Sequence, residues 1–505
     1  MGRPVILVTA AALLLFVGAA GAARVTGTPR ADFLRGGPRA DVLDGRGGSD
    51  RIKVEGGGRD RVQCGKGSYD LVNADLSDRV AGDCETVARV VARDPYRTPA
   101  QHATIAEPDS FAWGNTVVTA FQSGRFRDGA AVNTGWATSR DGGRTWRSGT
   151  LPSLTVSSRP AGRWQRASDP VVAYDAAHGV WLIASLALTA GDAAAVVVNR
   201  SSDGLTWSAP VTVVEAPWEP NLLLDKEWIV CDNGAASTHR GSCYATYSDF
   251  RTFRLEFQAS RDGGLTWGPQ VSAPENAGRA SIVGRWAPAP QPVVQPDGDL
   301  IVPYYDEDRV ASVRSVDGGR SFERPVTVSP TRFRATPGLR APPLPSAEVD
   351  VNGVVYVVWP DCRSRPSCRF DDLVISRSVD GNAWSTPTRI PIAPRSSQAD
   401  FVIPGIGVDA TGAGRLAVTY YVLRGGQYLD AGFISSEDGG RSWRPPRRLN
   451  AQTMQLDWVA QAGGAMVGDY ISTSWSGGRA VAVFVLANRP RQRFDQPLFA
   501  ASIRP

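Results

Sequence analysis

One short phrase recurs six times along this chain, at intervals of 55 to 63 residues. Each copy opens with serine, continues with an aspartate–glycine pair and closes with tryptophan or phenylalanine. The copies are SRDGGRTW (139–146), SSDGLTW (201–207), SRDGGLTW (260–267), SVDGGRSF (315–322), SVDGNAW (378–384) and SEDGGRSW (436–443). A fixed period of this size indicates one supersecondary unit copied along the chain, whose neighbours bury each other's faces.

The phrase is typical of a tight turn between two strands. Serine and aspartate side chains accept hydrogen bonds from the backbone N–H groups of such a turn, and glycine permits positive φ. The closing aromatic ring packs back onto the sheet. The phrase resembles the Asp box of sialidase-like (BNR-repeat) β-propellers, over about four-fifths of the chain. That resemblance implies an all-β propeller in which the box holds a blade together and does not touch substrate.

The number of blades follows from strand-like apolar segments rather than from the boxes. Seven such segments occur, at 116–121, 180–186, 244–247, 300–305, 354–359, 416–422 and 480–486. The seventh unit lacks a box, but 498–503 can serve as its third strand, and an outer strand from the N-terminal side would close the ring. The strand count therefore favours seven blades, with six, the number found in sialidases, as the alternative. The propeller is assigned to 105–505, and 84–104 to a connector or a closing strand.

A different repeat occupies residues 24–83. An aspartate recurs every eight to ten residues and is followed two positions later by an aliphatic residue, and glycine runs precede most copies. The pairs are Asp32/Leu34, Asp41/Leu43, Asp50/Ile52, Asp60/Val62, Asp70/Val72 and Asp78/Val80. The segment resembles the glycine-rich nonapeptide repeats of RTX (hemolysin-type) proteins, which form a small parallel β-roll. The resemblance implies Ca²⁺ at the Gly/Asp turns, with Asp41, Asp50 and Asp60 as ligands, although GGPRADVLD (36–44) places proline and arginine in one turn.

The N-terminus predicts export. Arg3 precedes an apolar stretch at 5–17, and small residues fit cleavage of a 1–23 signal peptide near Ala22 or Ala23. No later stretch is long and apolar enough to span a bilayer. Six cysteines form local pairs, for which the first choice among 15 connectivities is Cys64 with Cys84, Cys231 with Cys243, and Cys362 with Cys368. We expect a secreted, extracellular monomer.

Charge and histidine content narrow the function classes. Fifty-five basic residues against 50 acidic ones give a net charge of +5, which is too balanced to predict nucleic-acid binding. Three histidines make a zinc site or a Ser-His-Asp triad unexpected. The expected partner is an extracellular glycan or glycoconjugate.

A propeller site lies at the mouth of its axis, where the inner strands begin and the second strands end. Acids fall at the inner-strand starts, and arginines at the second-strand ends. The candidates on this pole are Asp169, Asp225, Glu227, Asp469, Tyr470, Arg285, Trp286, Arg363, Arg424 and Lys226. Features repeated blade by blade usually serve the repeat, so most should form acid–arginine pairs between blades. The alternative is that some stay unpaired at the axis and hold an anionic sugar or a cation.

The resemblance to sialidases implies specific roles. A sialidase clamps the sugar carboxylate with three arginines and uses a tyrosine nucleophile, a glutamate and an acid/base aspartate. The family's first arginine lies on the first inner strand, but 104–114 has none. By resemblance, Arg285, Arg363 and Arg424 would supply the clamp, with Trp286 and Lys226 beside the sugar. Tyr470 or Tyr421 would be the nucleophile, and Asp469, Asp169, Asp225 and Glu227 the carboxyl groups.

Three functions stay open from the sequence. The first is a glycan-directed propeller that, if it is an enzyme, is an exo-sialidase-type glycoside hydrolase. The second is a non-catalytic carbohydrate- or protein-binding propeller, suited to adhesion, with a calcium-ordered repeat module. The third is another hydrolase or lyase that uses paired acids such as Asp225 and Asp169. Converging arginines with an unpaired Tyr–Glu couple would favour the enzyme, and a mouth filled by inter-blade salt bridges would favour the binder.

Overall fold

A computed structural model describes residues 22–97, 100–189, 192–216, 224–250, 254–274, 289–306 and 308–505. Within these ranges the chain is all-β, with two short 3₁₀ segments at Pro366–Cys368 and Leu456–Trp458. No helix in the described ranges has the length and apolar character needed to cross a membrane. The first 21 residues, which carry most of the predicted signal peptide, lie outside them.

Within the described residues seven antiparallel blades form a propeller, and blades 1 and 2 share one eight-stranded sheet. This confirms the all-β propeller prediction and the favoured number of blades. Blade 1 contains Gln101–Trp113, Thr116–Arg125, Ala131–Ser139 and Arg147–Thr150, and blade 2 contains Arg166–Asp175, Val180–Thr189, Asp192–Ser201 and Val211–Glu215. Blade 3 contains Leu224–Cys231, Cys243–Asp249, Arg254–Ser260 and Val271–Ser272. Blade 4 contains the short inner strands Ala289–Pro290 and Val293–Val294, then Leu300–Asp306, Arg309–Ser315 and Val326–Pro330.

The last three blades complete the ring. Blade 5 contains Ser346–Val349, Val355–Asp361, Asp372–Ser378 and Thr388–Arg389. Blade 6 contains Ala399–Val408, Leu416–Arg424, Tyr428–Ser436 and Arg447–Arg448, with Met454–Gln455 added at its edge. Blade 7 contains Ser472–Ser476, Arg479–Val485 and Leu498–Ile503, and its outer strand is Thr86–Ala92 from the N-terminal side.

The repeated phrase forms the turn between the third and fourth strands of a blade. In blade 1, Asp141 Oδ1 accepts hydrogen bonds from the backbone N–H groups of Arg144 and Thr145, at 3.0 and 2.8 Å. The Trp146 indole donates to the backbone carbonyl of Gly143, which has a φ of 86°. Because these aspartates are saturated by their own turns, they are structural. The turns lie at the end of each blade opposite the inner-strand starts.

The N-terminal segment is a parallel β-solenoid with two faces. One sheet stacks Arg24–Thr26, Val42–Asp44, Arg61–Gln63 and Arg79–Val80, and the other stacks Phe33–Arg35, Arg51–Lys53, Leu71–Asp75 and Thr86–Ala92. The aliphatic residues of the repeat fill the space between the sheets: Leu34, Leu43, Ile52, Val62 and Val72 are all buried. The periodic aliphatics therefore build a genuine core.

One strand belongs to both modules. Thr86–Ala92 runs parallel to Leu71–Asp75 in the solenoid and antiparallel to Leu498–Ile503 in blade 7. A single seven-stranded sheet thus runs from the solenoid into the propeller. The solenoid is a continuation of blade 7 rather than a domain on a linker. The cysteines form the disulfides Cys64–Cys84, Cys231–Cys243 and Cys362–Cys368.

Candidate functional site

The inner strands of four blades bulge at the same point near the axis. Glu107, Asp169, Lys226 and Ile403 have positive φ values of 50°, 46°, 53° and 53°, and the pairing with the second strand shifts register beside each of them. A non-glycine residue in this backbone region is strained, and such strain concentrates at functional sites. Three of the four bulge residues have ionisable side chains, so the bulges define the candidate site.

The bulges bring charges from several blades together. The Lys226 ammonium of blade 3 lies 2.8 Å from Asp469 Oδ2, at the entry to blade 7, and 3.4 Å from Asp169 Oδ2 of blade 2. Arg340, from the segment between blades 4 and 5, donates two hydrogen bonds to Asp469, at 2.7 and 2.5 Å. We call Lys226, Asp169, Asp469 and Arg340 the axial ion cluster. It joins strand starts that are distant in sequence.

Electrostatics hold this cluster ionised. Burial alone would lower the pKa of Lys226, but the carboxylates of Asp169 and Asp469 raise it well above its usual range. Burial alone would raise the pKa of Asp469, but Lys226 and Arg340 lower it far below its usual range. Lys226 retains 13% of its side-chain exposure and Arg340 retains 34%, whereas Asp469 retains 2%. The two cations therefore form the solvent-facing side of the cluster.

Protonated acids lie around the ion cluster. Burial, and then the charge of Asp169, raises the pKa of Glu107 to about 8. The same two causes raise the pKa of Glu227 well above its usual range, and neither of its carboxyl oxygens has a hydrogen-bond partner among the described residues. Burial raises the pKa of the half-buried Asp225 to about 6. The mouth thus combines ionised and neutral carboxyl groups, the arrangement that acid–base chemistry uses.

A hydrogen-bonded layer fixes the bulges from below. Gln122 donates to Glu107 and, at 2.9 Å, to the Ser168 hydroxyl, which in turn donates to Asp169 Oδ1 at 2.6 Å. Arg125 is buried and donates to the side-chain oxygen of Gln122. Blades 1 and 2 are therefore coupled directly beneath the cluster.

Tyr470 borders the cluster without facing solvent. It is 6% exposed, its hydroxyl donates to the backbone carbonyl of Pro170 at 3.1 Å, and its ring meets Trp228 edge-on. Burial, followed by the charges of Glu107 and Asp169, raises its pKa well above the usual range. A tyrosine in this setting keeps its proton. Tyr421, the other tyrosine considered, is buried and donates to the carbonyl of Val485.

The predicted arginines are placed apart from the axis cluster. Arg363 is held by Asp361, two residues before it, at 2.6 Å, and Arg424 is paired with Asp430 on its own hairpin. Arg285 and Trp286 lie outside the described residues. The structure brings Lys226, Asp169, Asp225, Glu227, Asp469 and Tyr470 to one place, whereas Arg363 and Arg424 belong to local pairs.

The candidates chosen from the sequence include neither Arg340 nor Glu107, although Glu107 is one of the acids recognised at the inner-strand starts. Arg340 lies in a segment without repeat signature, so nothing marked it. Glu107 had a signal, because the dipeptides Glu107-Pro108, Asp169-Pro170 and Ile403-Pro404 stand at the same point of three inner strands. Proline inside a strand marks a bulge, and it normally keeps the preceding residue extended. A repeated X-Pro at strand starts therefore predicts a bulge at each of these points, but not the positive φ that the structure shows for the residue before each proline.

The solenoid contains a second constellation of acids. Asp50 Oδ1 accepts the backbone N–H of Asp32 at 2.8 Å, and Asp60 Oδ1 accepts that of Asp41 at 2.6 Å, each one coil earlier. The same ladder continues through Asp70 and Asp78. The second oxygens of Asp50, Asp60 and Asp70 are buried and have no hydrogen-bond partner in the structure.

Carbonyl oxygens share the space of those unpartnered carboxylate oxygens. A Cβ atom added at Gly45 would collide with Asp50 Oδ2 and with the carbonyl of Cys64, and one at Gly67 would collide with Asp70 Oδ2 and the carbonyl of Gly48. Oxygen ligands of both kinds are those that Ca²⁺ prefers. The donor set of these turns therefore fits calcium.

Comparisons with known proteins give likeness of fold. No family model matches the chain, and no curated protein matches it in sequence. Among solved structures, the leech intramolecular trans-sialidase in complex with 2,7-anhydro-Neu5Ac is 13% identical, with a TM-score of 0.45, covering 73% of this chain and 70% of that one. A PL25 ulvan lyase is 11% identical, with a TM-score of 0.48, covering 81% and 94%. The intramolecular trans-sialidase of Ruminococcus gnavus is 15% identical, with a TM-score of 0.42, covering 72% and 98%.

Proposed function

We propose that this protein is a secreted propeller that binds an extracellular glycan at the axial ion cluster. The observation that carries the proposal is the mouth itself, where strained inner-strand residues from different blades converge on Lys226, Asp169 and Asp469. Three disulfides support an oxidising, extracellular compartment.

The charges of the cluster suit hydroxyl groups better than a strong anion. Lys226 and Arg340 are balanced by Asp169 and Asp469, and the raised pKa values leave Glu107 and Glu227 uncharged at pH 7. A sugar hydroxyl both donates and accepts, so neighbouring hydroxyls can use a carboxylate and a cation together. The mouth filled by inter-blade ion pairs favours binding over the sialidase form of the proposal.

The first test compares two arginine variants on an array of neutral and acidic glycans, followed by calorimetry on the best ligand. Arg340→Gln removes a solvent-facing donor of the mouth and should weaken binding about tenfold or more, the usual cost of a lost charged hydrogen bond. Arg363→Gln removes an equally exposed arginine that is paired with Asp361. It should leave affinity unchanged, and equal loss in both folded variants would contradict the axial site.

A second candidate is catalysis, as a glycoside hydrolase of the exo-sialidase type. It is favoured by the neighbouring neutral and ionised carboxyl groups, in which Glu107 would be the acid and Asp169 the charged partner. An aryl sialoside and the glycans bound on the array are the substrates to assay. Turnover that Tyr470→Phe abolishes would support the sialidase form, whereas turnover lost in Glu107→Gln, and in wild type above pH 8, would support carboxyl chemistry. Absence of turnover leaves the binding proposal.

We also propose that the solenoid binds Ca²⁺ through Asp41, Asp50 and Asp60 and the carbonyl oxygens of the neighbouring turns. Calcium would offset the charge of Asp50 and Asp60, whose second carboxylate oxygens have no partner among the described residues, whereas both oxygens of Asp41 accept backbone N–H groups. Its role here is structural, as a ligand that favours the folded state.

Calcium removal is expected to lower the melting temperature at pH 7.5 and to matter little at pH 5. Burial raises the pKa of Asp60 to about 6, above its unfolded value, so its proton stabilises the fold at low pH. That contribution is lost as the pH rises through 6, where Ca²⁺ must take its place. At a hundredfold excess over Kd, calcium contributes about 2.7 kcal/mol.

The matched variants for this experiment are Asp60→Asn and Asp44→Asn. Asp44 is a half-buried acid of the same module whose carboxylate accepts the backbone N–H of Arg46. The melting temperature is measured with calcium and with chelator. It should not depend on calcium in Asp60→Asn, and it should still depend on calcium in Asp44→Asn. If chelator did not change the melting temperature of the wild-type protein at pH 7.5, that result would contradict the calcium proposal.

A further inference from the structure

A cleft separates the solenoid from the rim of blade 7. It has a volume of about 1880 Å³. One wall is the solenoid around Arg35 and Lys53, and the other is the loop 488–495 between the second and third strands of blade 7. That loop leaves the blade at the pole where the inner strands begin. The cleft therefore opens on the same pole as the axial mouth, farther from the axis.

The charge of the cleft is strongly positive. Arg35, Arg489, Arg491 and Arg493 line it, all four are exposed, and no ion pair joins any of them to a carboxylate of the described residues. The remaining cations are already matched, because Lys53 pairs with Glu55 and Arg93 lies 3.0 Å from Asp495. Four guanidinium groups thus have no carboxylate partner in the part of the chain that the structure describes. By contrast, Arg309, Arg363 and Arg424, near the corresponding strand ends of blades 4, 5 and 6, are each paired with an aspartate.

The two walls are held at a fixed distance. Lys53 Nζ donates to the side-chain oxygen of Asn488 at 2.5 Å across the cleft floor. Asn488 and Asp495 close the loop by a backbone hydrogen bond of 2.8 Å and a side-chain one of 3.0 Å. Arg93, on the segment after the shared strand, ties the loop to Asp75 of the solenoid as well. The arginines between these anchors are consequently presented by a braced loop.

We propose that this cleft binds an anionic polysaccharide, through carboxylate or sulfate groups on successive sugar units. Guanidinium groups match such planar or branched oxyanions by paired hydrogen bonds. Phe494 is the half-buried aromatic ring of the same loop and can cover one sugar face. Single-stranded nucleic acid is disfavoured, since it is typically held by several exposed aromatic rings on which bases stack. The disulfides support a compartment in which acidic glycans are common polyanions.

The cleft site is separate from the axial site, and neither depends on the other. None of its arginines belongs to the axial ion cluster, which uses Lys226 and Arg340. A polymer held at the rim would be tethered beside the mouth, which raises the effective concentration of its other units there.

The test uses the full chain, with dextran sulfate and oligogalacturonate as anionic probes. Unsulfated dextran is the uncharged control. The triple variant Arg489→Gln, Arg491→Gln, Arg493→Gln is compared with Arg144→Gln, Arg147→Gln, Arg441→Gln, which removes three exposed arginines from the opposite pole. Both variants lower the net charge equally. Thermal unfolding checks that each is folded.

The loop variant should bind the anionic probes about ten- to a hundredfold more weakly, with a shallower salt dependence, because each lost contact no longer displaces counterions. The opposite-pole variant should keep wild-type affinity, and dextran should not bind. Equal weakening in both variants, or no binding of either anionic probe by wild type, would overturn the proposal. Tighter binding of single-stranded DNA of equal charge, lost in the loop variant, would also overturn it in favour of a nucleic-acid site.

Discussion

A chain that begins at residue 93 is expected to fail to fold, whereas a chain that begins at residue 85 should form a complete but less stable propeller. The difference between them is the strand Thr86–Ala92, which supplies the outer edge of blade 7. It buries Ala88, Val90 and Val91 against a blade whose own third strand is Leu498–Ile503. Without it, the last blade has three strands and an open, apolar edge.

The size of the effect follows from burial. A fully buried aliphatic side chain contributes about 1.5–3 kcal/mol, and the strand also supplies the hydrogen bonds of one ladder. Their sum approaches the whole stability of a typical domain, about 5–15 kcal/mol. The longer chain keeps this strand but loses its parallel partner. It also loses the hydrogen bond that the Asn73 amide donates to the carbonyl of Leu449, and the one that the Asn73 side-chain oxygen accepts from the N–H of Ala451.

Soluble yield, circular dichroism and thermal unfolding measure the outcome. The chain from 85 should unfold cooperatively at a lower temperature than the chain from 24. The chain from 93 should be insoluble or lack a cooperative transition. If it unfolded like the chain from 85, the closure of the ring by the N-terminal strand would not be needed for folding, and the shared strand would serve only the solenoid.

The fold was predictable because its signals are local and repeated. Six turn phrases and seven apolar strands share one period, and periodic aliphatics such as Leu43 and Ile52 mark the solenoid core. Each turn aspartate is satisfied within four residues, as Asp141 is by Thr145, so the phrase alone determines the turn. For 84–104 the sequence left a connector and a closing strand open, and it did not predict that Thr86–Ala92 also pairs with the solenoid, since an alternating apolar strand does not show which sheets it joins.

The site was predictable only in part, because its contacts are non-local. Sequence placed Lys226, Asp169 and Asp469 at the mouth, but their meeting depends on how three blades pack. For the arginines at strand ends, the sequence likewise did not show whether they form ion pairs or remain unpaired at the axis. Arg363 pairs with Asp361, two residues before it. Their closeness in sequence does not by itself show that both side chains lie at the same end of a hairpin.

Arg340 shows the limit of periodic reasoning. It reaches Asp469 from a segment that belongs to no blade, held by a backbone hydrogen bond from its own N–H to the carbonyl of Ala465. Segments between blades do not follow the repeat, so the repeat does not predict where their residues lie. The residues that make one propeller differ from another are concentrated in such segments.

Replacing Lys226 by methionine is expected to destabilise the protein by about 3–5 kcal/mol at pH 7.5, the range for removing one partner of a buried ion pair. Methionine keeps the length and apolar stem of lysine but leaves Asp169 and Asp469 without their shared ammonium group. Arg340 still pairs with Asp469, so Asp169 becomes the uncompensated charge. The Lys226→Met variant should also lose glycan binding at the mouth.

Lys66→Met is the matched control, because Lys66 is exposed and its side chain is not ion-paired in the described structure. It should unfold within about 0.5 kcal/mol of wild type, as surface substitutions usually do. The double variant Asp169→Asn, Lys226→Met should recover part of the lost stability, since it removes the unpaired carboxylate together with its partner. A Lys226→Met protein as stable as the control would mean that the axial ion cluster is solvated. The mouth would then not be a pre-arranged binding site.

The pH dependence distinguishes a lost ion pair from lost packing. In wild type, the lowered pKa of Asp469 stabilises the fold above its unfolded value of about 3.9, and this contribution is lost as the pH falls. In Lys226→Met, the pKa of Asp225, which burial raises to about 6, should rise further because Lys226 no longer lowers it, so protonation of Asp225 at lower pH relieves the variant. The stability deficit should therefore shrink between pH 7.5 and pH 4.5. A deficit that is constant over this range would assign the loss to packing, and the charges of Asp169 and Asp469 would then be compensated by other groups.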